Sequence, residues 1–283
     1  MTERHILTYR GPDQPGIVAR TATCLFENGA NVEEAAQYHD AATGKFFART
    51  VFAVEHAGHA EDFEAAFAPL AAALALEWSL CAADHRMRVV ILVSRLDHCL
   101  NDLLHRWRSG RLPMEIPAVI SNHPDLRELV EWHGIPFHHV PVVAGDQPAQ
   151  QHAVLERLRA LGAEAVVLAR YMQILSAEAC AELAGRCINI HHSFLPSFKG
   201  ARPYPAAFER GVKLIGATAH YVTAELDEGP IIEQDVRRVT HAHTPRELVD
   251  IGRDIESLVL ARALRWHLER RIQIDGAKTV VFE

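Results

Sequence analysis

Cysteine is scarce and scattered in this chain of 283 residues: Cys24, Cys81, Cys99, Cys180 and Cys187 are the five, with no Cys-x-x-Cys pair. An odd, dispersed set excludes a disulfide framework and a sulfur-ligated zinc site, and it fits a reducing cytoplasm. Long apolar runs are missing too. None approaches the roughly 20 residues needed to cross a bilayer, and the opening MTERHILTYR lacks the apolar core of a secretory signal. Positive charge is in deficit: 29 Lys and Arg stand against 36 Asp and Glu, a formal net charge of -7. That balance gives no general attraction to nucleic-acid phosphates or to a membrane surface, so small molecules are the expected partners. A phosphate loop, a dinucleotide fingerprint, internal repeats and low-complexity segments are likewise absent. The length allows a sizeable core and suggests two domains.

What is present divides near residue 85. Arg4 to Tyr9 reads as a strand, GPDQPG breaks it, and Pro15 suits the first turn of a helix whose apolar positions are Val18, Ala22, Leu25 and Phe26. Asn28 and Gly29 supply its exit. Val32–His39 and Phe46–Val54 read as a hairpin turned near Gly44, followed by a helix over 61–74 and a strand over 76–81. The order is βαββαβ, ferredoxin-like. With RGPDQPGI and NGAN in place, residues 1–84 resemble the ACT domain, an amino-acid-binding regulatory module. The resemblance implies an effector, glycine or methionine, held by backbone amides around Gly11 and Gly16 and by Asn31, and a homo-oligomer built through this domain. A plain oligomerisation module of the same order is the alternative.

Residues 85–283 alternate strand and helix. MRVVILVS is the near-continuous apolar run of a strand buried on both faces of a parallel sheet, and AEAVVLAR and CINIHHS follow the same pattern. Ser176 reads as a helix N-cap, Thr244 with Pro245 and Glu247 as a capping box, and Asp275-Gly276 as a closing hairpin turn. The expected architecture is a doubly wound, mostly parallel α/β domain. Such sheets bind ligands beyond the carboxyl ends of their strands, so Ser94, Asn122, Arg170 and Asn189 to Ser193 are the residues to weigh.

On a strand, alternate residues share a face; Asn189 and His191 should project together, with Ile190 and His192 pointing the other way. An amide donor beside an imidazole can hold an oxyanion while the imidazole moves a proton, as acyl transfer and amide hydrolysis require. A carboxylate is still needed, and Asp227 in AHYVTAELDEGP offers one, close in sequence to His220. INIHHSFLPSFKGARPYPAAFERG and GATAHYVTAELDEGPIIEQD together resemble the formyltransferase superfamily that uses 10-formyltetrahydrofolate. The resemblance covers Met87 to the C-terminus. It implies catalytic roles for Asn189, His191 and Asp227, a supporting role for His220, and a pterin pocket lined by Arg170, Met172, Gln173, Ile174, Leu175, Val222 and Thr223. Lys199 and Arg202 either meet the folate glutamate or sit in a solvated loop, and the roles of His192 and Ser193 are open.

Among relatives, the acceptor distinguishes the branches. VSRLDHCLNDLL has no glycine to bring backbone amides to a phosphate and carries Asp97, which disfavours the ribonucleotide acceptor. The barrel domain of the tRNA-formylating branch is missing. Water is left, so the resemblance implies hydrolysis of 10-formyltetrahydrofolate to formate and tetrahydrofolate, with no cofactor and no metal. The alternatives are transfer to an unphosphorylated amine, a metal-dependent hydrolase using His191, His192 and His220, and an amino-acid sensor without activity.

Overall fold

A computed structural model of the chain describes residues 3–55, 59–143, 146–196 and 203–283. The chain forms two compact units, 1–85 with 269–273 and 280–283, and 86–268 with 274–279.

In the first unit β1 (Glu3–Pro12), α1 (Ile17–Glu27), β2 (Ala30–Asp40), β3 (Lys45–Val54), α2 (His59–Ala73) and β4 (Glu77–Ala82) follow in that order. The strands make an antiparallel sheet ordered β2-β3-β1-β4. Phe46, Ala48, Phe52 and Val54 share one face of β3, as strand alternation requires, and pack with Phe63 and Phe67 of α2 and Leu25 of α1. The helix α1 is phased differently from the sequence expectation. It starts after Gly16, which stands at φ 92, and buries Ile17, Thr21, Cys24 and Leu25; Val18 and Phe26 are 44% and 81% exposed. The spacing i, i+4, i+7, i+8 holds, but Thr21 takes a core place that its hydroxyl concealed. Pro15 lies ahead of this helix and not in its first turn.

The last residues of the chain belong to the first unit, which a single division at residue 85 does not capture. Arg49, on β3 and buried, donates to the carbonyl of Glu269 at 3.0 and 3.1 Å and pairs with Glu34 at 2.8 Å. Arg271 reaches the same Glu34 at 3.0 Å, and Gln273 donates to the carbonyl of Ala48 at 2.7 Å. A buried guanidinium needs this many acceptors.

The second unit is mixed α/β. It runs β5 (Met87–Val93), α3 (His98–Arg108), β6 (Met114–Glu115), β7 (Val119–Ser121), α4 (Arg127–Trp132), β8 (Phe137–His139), α5 (Gln147–Ala160), β9 (Ala165–Leu168), α6 (Ala177–Glu182), β10 (Cys187–His191), α7 (Pro203–Arg210), β11 (Leu214–Tyr221), β12 (Ile231–Arg238) and α8 (Pro245–Leu268). A hairpin of β13 (Ile272–Asp275) and β14 (Lys278–Val281) turns at Gly276, φ 59. The main sheet is ordered β12-β11-β10-β9-β5-β7-β8, with β6 beside β5. From β10 to β8 neighbours are parallel, and β11 and β12 extend the edge antiparallel. Ser176 Oγ accepts from the Ala179 amide at 3.2 Å, and Thr244 and Glu247 exchange capping bonds at 2.6 and 3.3 Å, as the sequence signals predict.

Strand order reverses beside β5: β7 and β8 lie on one side, β9 and β10 on the other. The carboxyl ends of β5, β9 and β10 therefore frame the crevice that such a sheet offers to a ligand. No helix among the described residues is long and apolar enough to cross a membrane.

Candidate active site

The end of β10 brings Asn189 and His191 to that crevice, and its antiparallel register with β11 sets Asn189 opposite His220. The turn after β11 returns Asp227 to the same place. Asp227 adopts φ 58, a left-handed conformation that Asp tolerates better than most residues. Gly229, two residues on, is packed so closely that a Cβ there would lie 1.7 Å from the carbonyl oxygen of Tyr221. Only glycine lets this turn fold back on the end of β11.

His191 Nδ1 lies 3.2 Å from Asp227 Oδ2, and His220 Nε2 lies 3.7 Å from Oδ1. A carboxylate only accepts, so the proton of neutral His191 sits on Nδ1 and its Nε2 carries the lone pair. That Nε2 is buried with no partner among the described residues, and His191 lines a cavity of about 310 Å³. His220 Nδ1 donates to the carbonyl of Tyr221 at 2.9 Å, so Nε2 of the neutral ring accepts the Asn189 amide at 3.2 Å. The second N–H of Asn189 is thereby oriented by the first. Burial alone would raise the Asp227 carboxyl, but the hydrogen bond with His191 outweighs it and holds the group below its ordinary value.

The cavity is lined by every described residue that the sequence assigned to the pterin pocket: Arg170, Met172, Gln173, Ile174, Leu175, Val222 and Thr223. Met172, Ile174 and Leu226 give it an exposed apolar lip. Ser94 and Asn122 do not line it. Ser94 Oγ donates to Asn122 Oδ1 at 2.7 Å and accepts the Met172 amide at 3.0 Å, which holds the 170–175 segment in place. Lys199 and Arg202 lie outside the described residues.

One expectation changes. His192 does not turn away: β10 ends at His191, the pleat no longer applies, and the two rings stack with centroids 5.0 Å apart. The side chain of Arg170 is buried, and its own backbone stands at φ 62. Gly11 sits within β1 opposite Phe46, where a Cβ would meet the carbonyl of Ala75 at 2.7 Å; close packing already accounts for that glycine. Gly16 caps α1 from outside and Asn31 is exposed on β2.

Sequence reasoning missed Glu256, Tyr204 and His98. Glu256 had a signal, because α8 buries Leu248, Gly252, Ile255, Val259, Leu260 and Leu264 on the same stripe, where an acidic residue is out of place. Its partners had none: the three are linked only through space, across gaps of 52 and 158 residues. Among the described residues, His98, Cys99 and Glu256 also form a group of metal-ligand types. Arg170 Nε stands 3.4 Å from that Glu256, already supplying a positive charge.

A formyl transferase family model matches residues 87–264. The formyltetrahydrofolate deformylase of Corynebacterium sp. (strain P-1) is 49% identical over 279 residues, 98% of each chain, and that of Bacillus subtilis (strain 168) 50% identical over 275 residues, 96% of this chain and 91% of its own. The crystal structure of a formyltetrahydrofolate deformylase from Pseudomonas syringae pv. tomato superposes with a TM-score of 0.95 at 48% identity, covering 100% of this chain and 95% of that one. A glycinamide ribonucleotide transformylase from Symbiobacterium toebii gives 0.67 at 32% identity, covering 72% of this chain and 98% of its own. With its strand-end Asn and His, its turn carboxylate and this likeness along nearly its whole length, the chain belongs to the formyltetrahydrofolate deformylase family.

Proposed function

We infer that the protein hydrolyses 10-formyltetrahydrofolate to formate and tetrahydrofolate, acting in one-carbon and purine metabolism in the cytoplasm without metal or cofactor. The observation that carries this is the His191–Asp227 pair, whose free Nε2 lies in a cavity shared with the Asn189 amide. Water bound beside Nε2 attacks the formyl carbon as its proton passes to His191, and the ionised Asp227 stabilises the imidazolium that forms. Asn189 donates to the oxygen that gains charge. The C–N10 bond then breaks as His191 returns the proton to N10, leaving formic acid, which ionises, and tetrahydrofolate. A base and an oxyanion donor suffice for these steps.

The test is purified protein with 10-formyltetrahydrofolate alone. Formate and tetrahydrofolate are expected to appear in equal amounts, with no amine added and after exhaustive chelation. Formate that appears only with an amine acceptor points to a transferase, and activity lost on chelation and restored by zinc points to a metal hydrolase.

We further propose that the first unit is an ACT-type module that binds a free amino acid, glycine or methionine, and joins subunits into a homo-oligomer. Its βαββαβ order, the sheet order β2-β3-β1-β4 and the edge strand β2 with exposed Val32 and Tyr38 support this reading. Removing residues 1–84 is a poor test, since Arg271 would lose Glu34 and Gln273 the carbonyl of Ala48. Titrating the intact enzyme with amino acids is expected to change its rate by about five- to 150-fold, the usual span of allosteric coupling. A rate indifferent to the whole panel, together with a monomer by sedimentation, rules the module out as sensor and as assembly element.

A further inference from the structure

Glu256 is 1% exposed, and its carboxylate is shared by three side chains from three other parts of the second unit. Oε1 accepts from the Tyr204 hydroxyl of α7 at 2.6 Å; Oε2 meets His98 Nε2, at the start of α3, at 2.8 Å and Arg170 Nε, after β9, at 3.4 Å. Arg170 donates through Nη1 to Nδ1 of His192, and the His192 ring lies against His191 with 26° between the planes. One buried carboxylate thus connects, in three steps, to the catalytic imidazole.

The chemistry of each group constrains the next. A guanidinium has donors only and is always charged, so Nδ1 of His192 must accept and the His192 ring is neutral, with its proton on Nε2. A neutral ring can stack on His191 through both protonation states of the reaction, whereas an imidazolium would repel the one that forms there. Burial alone would raise the Glu256 carboxyl, but the hydrogen bond with His98, the charge of Arg170 and the Tyr204 hydroxyl outweigh it and keep the group ionised. Gly252 shows how closely this set is packed: a Cβ there would fall 2.1 Å from the Tyr204 ring. A buried ion pair is in general a poor source of stability, and apolar side chains of similar volume often replace one at no loss. Its presence here, with Arg170 held at φ 62, calls for another use.

We propose that Glu256 and Arg170 are positioning residues for the reaction, acting through His192 to hold the ring of His191 where Nε2 faces the formyl group. The proposal rests on the reading of His191 as the acid–base group.

Glu256→Gln removes the charge and keeps the shape. In folded protein it is expected to lower kcat about tenfold, the scale of a modest misplacement of a reacting group, with the KM for 10-formyltetrahydrofolate unchanged within about twofold. His192→Phe should lower kcat to a similar degree. The double variant Glu256→Gln/His192→Phe should be no slower than His192→Phe alone, because residues acting in series are not additive. A folded Glu256→Gln enzyme with the parent kcat, or losses that multiply in the double variant, overturns the proposal. Should Glu256→Gln fail to fold, because Arg170 is left unpaired, Tyr204→Phe decides. It keeps the carboxylate and removes one donor, and its expected loss of kcat, about threefold on the same scale, must also vanish in the His192→Phe background. Parent kcat in folded Tyr204→Phe overturns the proposal as well. His191→Ala separates the two readings: parent activity there removes the acid–base assignment, while a collapse there beside an unaffected Glu256→Gln removes only the positioning role.

Discussion

Asp227→Asn is expected to lower kcat about a hundredfold or more while leaving the folate KM within a few-fold, and His191→Ala to do the same, the scale for losing a positioned acid or base. The two side chains are 3.2 Å apart and work as one unit. An Asn at 227 keeps the volume but loses the charge that stabilises the imidazolium. Its amide can also donate to Nδ1, which would put the ring proton on Nε2, where water must give up its own. The double variant should therefore be little slower than either single one. The carboxyl has a second signature, in stability. Its folded-state value lies below the unfolded one, so its contribution is fully present above the ordinary carboxylate pKa of about 3.9 and is lost as pH falls through the lower folded value. The melting-temperature difference between parent and Asp227→Asn should thus be largest near neutrality and close at acid pH. Turnover within about threefold of the parent, in either variant, removes that residue from the chemistry.

Asn189→Ala is expected to cost about 100- to 1,000-fold in kcat, the penalty for losing one donor to a developing oxyanion. The effect should fall on kcat and kcat/KM alike, because the bond matters only once charge has moved onto the formyl oxygen. His220 gives a graded control. It meets Asn189 at 3.2 Å and the Tyr221 carbonyl at 2.9 Å, so His220→Phe removes the acceptor that turns the amide without removing the amide. Its loss should be smaller than that of Asn189→Ala and absent when Asn189 is already alanine. Single-turnover kinetics with 10-formyltetrahydrofolate read both, and an Asn189→Ala enzyme that keeps the parent rate sinks the oxyanion role.

The order of elements, the caps at Ser176 and Thr244, and the face shared by Asn189 and His191 were legible because each depends on neighbours along the chain. A strand alternates every second residue, and a cap needs an acceptor within three. The α1 face was misread for the same local reason: the spacing was visible, but Thr21 could be ranked as core only once a sheet lay beneath it. Asp227 was found because LDEGP is a motif, yet the left-handed turn and the contact of Gly229 with Tyr221 that deliver it exist only when β11 has formed.

By itself, then, the sequence determined the composition of the proposed reaction centre: an amide and an imidazole at the end of one strand and a carboxylate in the turn after another. Tertiary structure decided what surrounds it. His98 and Tyr204 carry no pattern in the chain, and with Arg170 and Glu256 they meet only where separate parts of the second unit converge, and there the loss of water makes each need the others. Residues 269–273 likewise join the first unit because a buried Arg49 requires the acceptors they bring. Periodicity records which side of an element is apolar; it does not record which distant polar groups are shut away from solvent together, and that depends on the path of the chain.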